Sequence, residues 1–217
     1  MAQFASDSFT GTTGDTLQVY SANWSRHPSY SNNVLIANNR CQLDPVGAAS
    51  SAYCHSATPA TADYSVSIDI YVASYTATNN LVGVVGRAST SVNTFYHARH
   101  SIGAGWQMYR FVSGAATQLG SAVAATLTPG NTYNLKLDMS GSAIKLYVDS
   151  VATIEATDTG ITSAGKAGIR AFNNAYGTAI NAEQLHIDNF SADEAGGGGG
   201  GAAIPVFVNH YRNQGIM

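Results

Sequence analysis

Tyrosine, histidine, arginine and asparagine are the side chains in this sequence best placed to do chemistry, and the chemistry they suit is recognition. Exposed aromatic rings stack on flat apolar surfaces such as sugar faces, while amide and carboxylate groups bind hydroxyls. Tyr71, Tyr75, Tyr96, Tyr109 and Tyr147 are candidates for outward strand positions. His97, Arg99 and His100 form a second group, and Asn173, Asn174 and Tyr176 a third, in a late loop. The competing reading is structural: strand tyrosines make cross-strand pairs and loop asparagines take turn conformations.

Bond-breaking chemistry finds less support. The three glutamates are Glu155, Glu183 and Glu194. Glu155 has Thr153 and Thr157 as its same-face neighbours, Glu183 has no acid at 181 or 185, and Glu194 adjoins a glycine run. On a regular strand Asp63 and Asp69 lie about 20 Å apart, too far to work as a pair. Neither a Gly-x-Ser-x-Gly elbow nor a His-Glu-x-x-His motif is present. Asp149, Asp158 and Asp188 show no metal-loop spacing, and His97 and His100 face opposite sides of a strand. Cys41 and Cys54 suit neighbouring antiparallel strands, as one disulfide or as two buried thiols. Cys54 and His55 are adjacent, so on a strand they diverge. No catalytic residue, metal site or cofactor is assigned.

The elements that must position these residues are strands. Tyr64, Val66, Ile68, Ile70 and Val72 alternate with polar residues, as do Tyr133, Leu135, Leu137 and Met139, and then Ile144, Leu146 and Val148. Period two of this kind marks a strand with one buried face. Further strands are expected over 33–37, 40–43, 81–87, 95–100, 105–112, 166–172 and 184–192. Thr128-Pro129-Gly130-Asn131, Ser140-Gly141-Ser142, Ser113-Gly114 and Asn173-Asn174 separate them as turns. No window has helical periodicity, so an all-β sandwich is expected. The strand near Phe4–Phe9 should pair with the one near His186–Ala192, and 157–163 should cross between sheets.

Composition narrows the function classes. Hydrophobic residues make up 45% of the 217, enough for a core, and only 11% are charged. A net charge of -3 without a basic run argues against a nucleic-acid partner. No apolar stretch approaches the ~20 residues of a membrane span. The opening MAQFASDSFT lacks the basic and apolar regions of a secretory signal. Three units are expected: a sandwich over 1–193, a glycine-rich linker over 194–201, and an apolar docking peptide over 202–217. Ile204, Val206, Phe207, Val208, Tyr211 and Arg212 are the docking residues of that peptide.

Four segments carry a family resemblance: FASDSFTGTTGDTLQ, YHARHSIGAGWQMYRFVSGAATQLG, the long run from TLTPGNTYNLKLDMSGSAIKLYVDS to GKAGIRAF, and HIDNFSA. Together they resemble the concanavalin A-like lectin/glucanase superfamily, in its laminin-G-like jelly-roll branch. The resemblance implies two curved antiparallel sheets packed face to face. It implies glycan or protein binding, with hydrolase activity in some members and a place in bacteriophage structural proteins for others. Glucanases of the superfamily carry Glu-x-Asp-x-x-Glu or Glu-x-Asp-x-Glu on one strand, because a retaining mechanism needs carboxyls about 5–5.5 Å apart. This chain has neither pattern. The leading expectation is therefore a non-enzymatic virion structural protein, a capsid decoration, cement or tail-associated subunit assembled in a host cytoplasm. Its partners would be other virion subunits, in a homo-oligomer held by the C-terminal peptide. The alternative is a glycan-binding module on a virion or cell surface, extracellular, with a host-surface glycan as ligand. A glycoside hydrolase is a third reading.

Overall fold

The structure is a computed structural model that describes residues 2–44, 49–75, 80–173 and 185–195. In chain order its elements are β1 (Gln3–Asp7), α1 (Leu17–Tyr20), β2 (Trp24–Arg26), β3 (Val34–Ile36), β4 (Cys41–Leu43), β5 (Ala49–His55), β6 (Tyr64–Val72) and β7 (Leu81–Ala88). There follow β8 (Phe95–Ser101), β9 (Gly105–Val112), β10 (Ala115–Gln118), β11 (Thr132–Ser140), β12 (Ala143–Val148), β13 (Val151–Thr157), β14 (Lys166–Asn173) and β15 (Leu185–Glu194). They form two antiparallel sheets. One has eight strands, in the order β13-β12-β11-β6-β15-β4-β3, with β1 also on β15; the other has seven, in the order β10-β9-β8-β7-β14-β5-β2. This is the jelly-roll sandwich that the period-two pattern and the resemblance imply.

The alternation works as expected in the eight-stranded sheet. Leu135 pairs with Ile68, and Leu137 lies between Val66 and Leu146, all turned inward and fully buried. Val82, Val84, Ala98, Met108 and Ile169 of the seven-stranded sheet complete the same core. Burying each such Leu, Ile or Val contributes roughly 1.5–3 kcal/mol. The chain ends meet as expected, with Ala5 opposite Ala192 and Asp7 opposite Phe190. Asn38 and Asn39, Ser113 and Gly114, and Asp149 and Ser150 each take two successive left-handed conformations. That geometry matches the twist of the hairpins they close.

Periodicity missed α1, a single turn capped by the Thr16 hydroxyl, and the strands β2, β5, β10 and β13. Of these, β5 reads ASSAYCH and is buried on both faces, so small residues replace any alternation. The crossing over 157–163 is as expected, since β13 and β14 belong to different sheets. The expectation for the cysteines changes. Cys41 lies on β4 and Cys54 on β5, in different sheets, as buried free thiols and not on neighbouring strands. Asn174, Tyr176, the glycine run and the six docking residues of the C-terminal peptide lie outside the described residues.

Arg87 closes one end of the sandwich. It is 3% exposed, and its guanidinium donates to the carbonyls of Ala62, Ile161 and Gly141 and to Asp63 Oδ1, at 2.7–3.3 Å. Its backbone N–H donates to the Tyr64 hydroxyl. One side chain thus satisfies carbonyls from three separate loops.

Candidate functional site

The outer face of the seven-stranded sheet carries buried polar and charged groups in adjacent cross-strand rows. In one cross-strand row Gln107 lies opposite Arg99, Arg99 opposite Gly83, and Gly83 opposite Arg170. In the next row Tyr109, His97, Val85 and Gly168 are neighbours in turn. Adjacent strands are about 4.8 Å apart, so Arg99 and Arg170 start about 10 Å apart, with a residue that has no side chain between them. A Cβ added at Gly83 would sit 2.1 Å from the Ala98 carbonyl oxygen and 2.8 Å from Arg99 Cα. The position accepts only glycine without moving a strand.

Arg170 lies across the sheet and is 9% exposed. Its guanidinium carbon is 4.9 Å from the centre of the Phe111 ring, 5.5 Å from Tyr30 and 5.9 Å from Phe95. Its Nη1 donates to His97 Nδ1 at 3.2 Å. A guanidinium can only donate, so Nδ1 is the unprotonated nitrogen and Nε2 carries the hydrogen. Burial first, and then the charges of Arg170 and Arg99, hold the His97 pKa well below the usual histidine value, which keeps the ring neutral. Neither His97 Nε2–H nor Arg170 Nε–H has an acceptor among the described residues. An unsatisfied buried donor costs about 1–3 kcal/mol, and such groups are rare in native proteins.

Arg99 is half-buried. Its Nε donates to Gln107 Oε1 at 2.9 Å, and its guanidinium stacks 4.2 Å from the centre of Tyr109. The Tyr109 hydroxyl in turn donates to Gln118 Oε1 at 3.1 Å. Burial, together with the charge of Arg170, lowers the Arg99 pKa from its ordinary value against an opposing contribution from Tyr109. The arrangement offers N–H donors, an amide and half-exposed aromatic rings on one face.

The tyrosines and asparagines singled out from the sequence divide. Tyr109 belongs to this face. Tyr71 and Tyr147 lie on the outer face of the other sheet, each under a cation: Arg40 4.0 Å above Tyr71, Lys136 4.4 Å above Tyr147. The structure corrects two expectations. Tyr96 is fully buried on the core side of β8, where its hydroxyl donates to Asp158 Oδ1 at 2.6 Å. Asn173 is also fully buried, at the end of β14 opposite Ala49. Tyr75 packs on the core, its hydroxyl donating to the Ala125 carbonyl at 3.0 Å. His97 and His100 face opposite sides as expected; His100 packs on Trp106 at 4.6 Å. Asp149, Asp158 and Asp188 do not converge: Asp149 binds the Asn134 N–H, Asp158 binds Arg110, and Asp188 lies by Arg40.

Sequence reasoning missed Arg170, Gln107 and the role of Gly83. It also missed that Asp69 and Asp188 lie opposite each other on β6 and β15. Those two carboxylates are engaged: Asp69 accepts from the side chains of Asn134 and Asn189, and Asp188 from the Asn189 N–H. A separate cleft of about 580 Å³ opens at the end of the sandwich between 88–94 and 160–166. Hydroxyls of Thr58, Ser89, Thr94 and Thr162 line it, but no aromatic ring does. Its two cations, Arg87 and Lys166, are bound to protein oxygens. It therefore offers hydroxyls but, among the described residues, neither a stacking surface nor an unengaged cation.

Neither a family model nor a curated protein matches the sequence. Solved structures match the fold. The carbohydrate-binding module CBM66 from Bacillus subtilis aligns over 79% of this chain and 96% of its own, at 18% identity and a TM-score of 0.59. The carbohydrate recognition domain of Emp46p, in its metal-free form, aligns over 88% and 95%, at 13% identity and a TM-score of 0.61. A protein of unknown function with a galectin-like fold, also from Bacillus subtilis, aligns over 89% and 96%, at 11% identity and 0.62. The lectin-like jelly roll is thereby shown as a fold.

Proposed function

We propose that the protein is a non-catalytic carbohydrate-binding module whose ligand lies on the outer face of the seven-stranded sheet. The observation that carries this reading is the gathering of Gln107, Arg99 and Arg170 in one outward row beside Tyr109 and His97, which puts N–H donors, an amide and a half-exposed ring on one sheet face. Sugar hydroxyls and ring oxygens are acceptors for such N–H donors, and the Arg99 guanidinium stacked on Tyr109 makes a flat surface on this face. The names of two fold neighbours, a carbohydrate-binding module and a carbohydrate recognition domain, support it. A glycan array tests it directly. Tyr109→Ala and Arg99→Ala should each weaken the leading signals tenfold or more, while Tyr71→Ala and Tyr147→Ala on the other sheet leave them within about twofold. Equal losses on both faces would reject the placement, and sugar release from a bound oligosaccharide would reject the non-catalytic reading.

The apolar sequence of residues 202–217 keeps a structural role in a virion as a second reading, with the module displayed at the particle surface. A chain ending at Ala195 would then fold but fail to assemble. Light scattering on both chains decides this: equal masses, together with full incorporation of the short chain, would end that reading.

A further inference from the structure

Resting on the glycan-binding reading above, we propose that the ligand is an acidic sugar, whose carboxylate seats between the guanidinium groups of Arg99 and Arg170. Three arginines elsewhere are paired with a carboxylate: Arg40 with Asp188 at 3.7 Å, Arg87 with Asp63 at 3.3 Å and Arg110 with Asp158 at 2.6 Å. Among the described residues Arg26, Arg99 and Arg170 are not; Arg26 lies apart, on β2, and donates to Asn33 Oδ1 at 2.6 Å. The partners of Arg99 and Arg170 are a neutral amide, a neutral imidazole and aromatic rings. None of the seven strands of their sheet contains an Asp or Glu. Two guanidinium groups held on the same face with no counter-ion among the described residues repel each other, and burial of Arg99 and Arg170 adds to that cost. An incoming carboxylate removes it, and the planar guanidinium fork matches a carboxylate with two parallel hydrogen bonds. Gly83 adds no side chain between the two arginines, and the Arg99 guanidinium lies stacked on Tyr109, so a sugar ring would meet that stack.

The opposite choice, a neutral sugar, would leave both charges uncompensated in a partly dehydrated site. The donor pattern also lacks the carboxylate acceptors with which proteins commonly hold sugar hydroxyls. Both features point the same way.

The test begins with the full chain on an array of neutral, uronate-bearing and sulfated glycans. Uronate-bearing glycans should dominate. Calorimetry then compares an oligogalacturonate with its methyl ester, which keeps the ring and removes the charge. The acid should bind at least tenfold tighter, and high salt should reduce that advantage. Arg99→Gln and Arg170→Gln should each abolish the preference, and Arg99→Lys should keep part of it. Arg99 is half-buried, so Arg99→Gln folds even if Arg170→Gln does not; thermal melting verifies this. Hits confined to neutral glycans, or equal affinity for acid and ester, would overturn the acidic-sugar assignment and leave the glycan-binding reading standing. A stronger signal from sulfated than from uronate glycans would replace the carboxylate by a sulfate and overturn the proposal as stated. A blank array would overturn both. A dimer at low salt that Arg99→Gln dissociates would give the face to a second copy of the chain and overturn the assignment as well.

Discussion

The strands of the seven-stranded sheet contain Arg26, Arg87, Arg99, Arg110, Lys166 and Arg170 and no acid, whereas those of the eight-stranded sheet contain Asp7, Asp69, Asp138, Glu155, Asp188, Asp193 and Glu194 against two lysines. The outer faces differ in how these charges are used. On the eight-stranded sheet, Lys145 meets Glu155 at 3.0 Å, Arg40 meets Asp188, and Asp69 accepts from two asparagine amides. Every outward charge named there has a partner of opposite sign or a hydrogen bond. On the seven-stranded sheet, the outward residues of β8 and β14 are almost as buried as the inward ones, and among the described residues His97 Nε2–H and Arg170 Nε–H have no acceptor. Local departures from good packing concentrate where a ligand completes the site.

The sharpest way to break the comparison is at Gly83. Gly83→Ala forces a Cβ into the β7–β8 ladder, and should cost about 3 kcal/mol or more in urea unfolding, with loss of ligand. Ser67→Ala, at an outward position of β6, should cost a small fraction of that. Equal costs would mean that the two faces are equally permissive.

Arginine substitutions sharpen it next. Arg87→Met strips three carbonyls of their donor and should destabilise by about 3 kcal/mol. Arg99→Gln removes one hydrogen bond to a neutral amide and a stacked ring, and should cost about 1 kcal/mol. A reversal of that order would make Arg99 a structural residue and weaken its assignment to a ligand.

Acid provides a third comparison. Burial pushes the His100 pKa down to about 4 and holds that of His97 well below the usual histidine value, both on β8. In the unfolded chain each titrates near 6.5. Between those values the unfolded chain binds the proton and the folded chain does not, so stability falls as pH falls from 6.5. For His100 alone the loss from pH 7 to pH 5 should be about 2 kcal/mol. Urea unfolding at the two pH values measures it, and His100→Gln should reduce the slope. A flat profile would show both rings to be solvated.

The smallest effect belongs to the eight-stranded face. Lys145 and Glu155 form an exposed pair, and Glu155→Gln should leave the unfolding midpoint where it was. A clear shift would show that this face, too, depends on its charges.

Much of the fold was legible in the chain. Alternation located β6, β11 and β12, and the glycine, asparagine and serine turns located their hairpins, because those strands have one wet face. It did not reveal β5, whose two faces are both buried, nor α1, which is a single turn.

The site was less legible. Alternation separated Tyr109 from Trp106 and Met108, but it also left Tyr96 as an outward candidate. Period two says that neighbours diverge; it does not say which set meets the opposite sheet. Arg99 was visible among the strand residues, whereas Arg170 was not, because nothing local to β14 marks it.

What the sequence by itself determined is the class of structure: strands with a repeating apolar face and turns that only certain residues permit. What only the tertiary structure decided is the meeting of Arg170 with His97, 73 positions apart in the chain, across a glycine floor. Hydrophobic alternation acts over two residues and can be read locally. The juxtaposition of two guanidinium groups follows from strand order and register, which depend on how all the strands pack together.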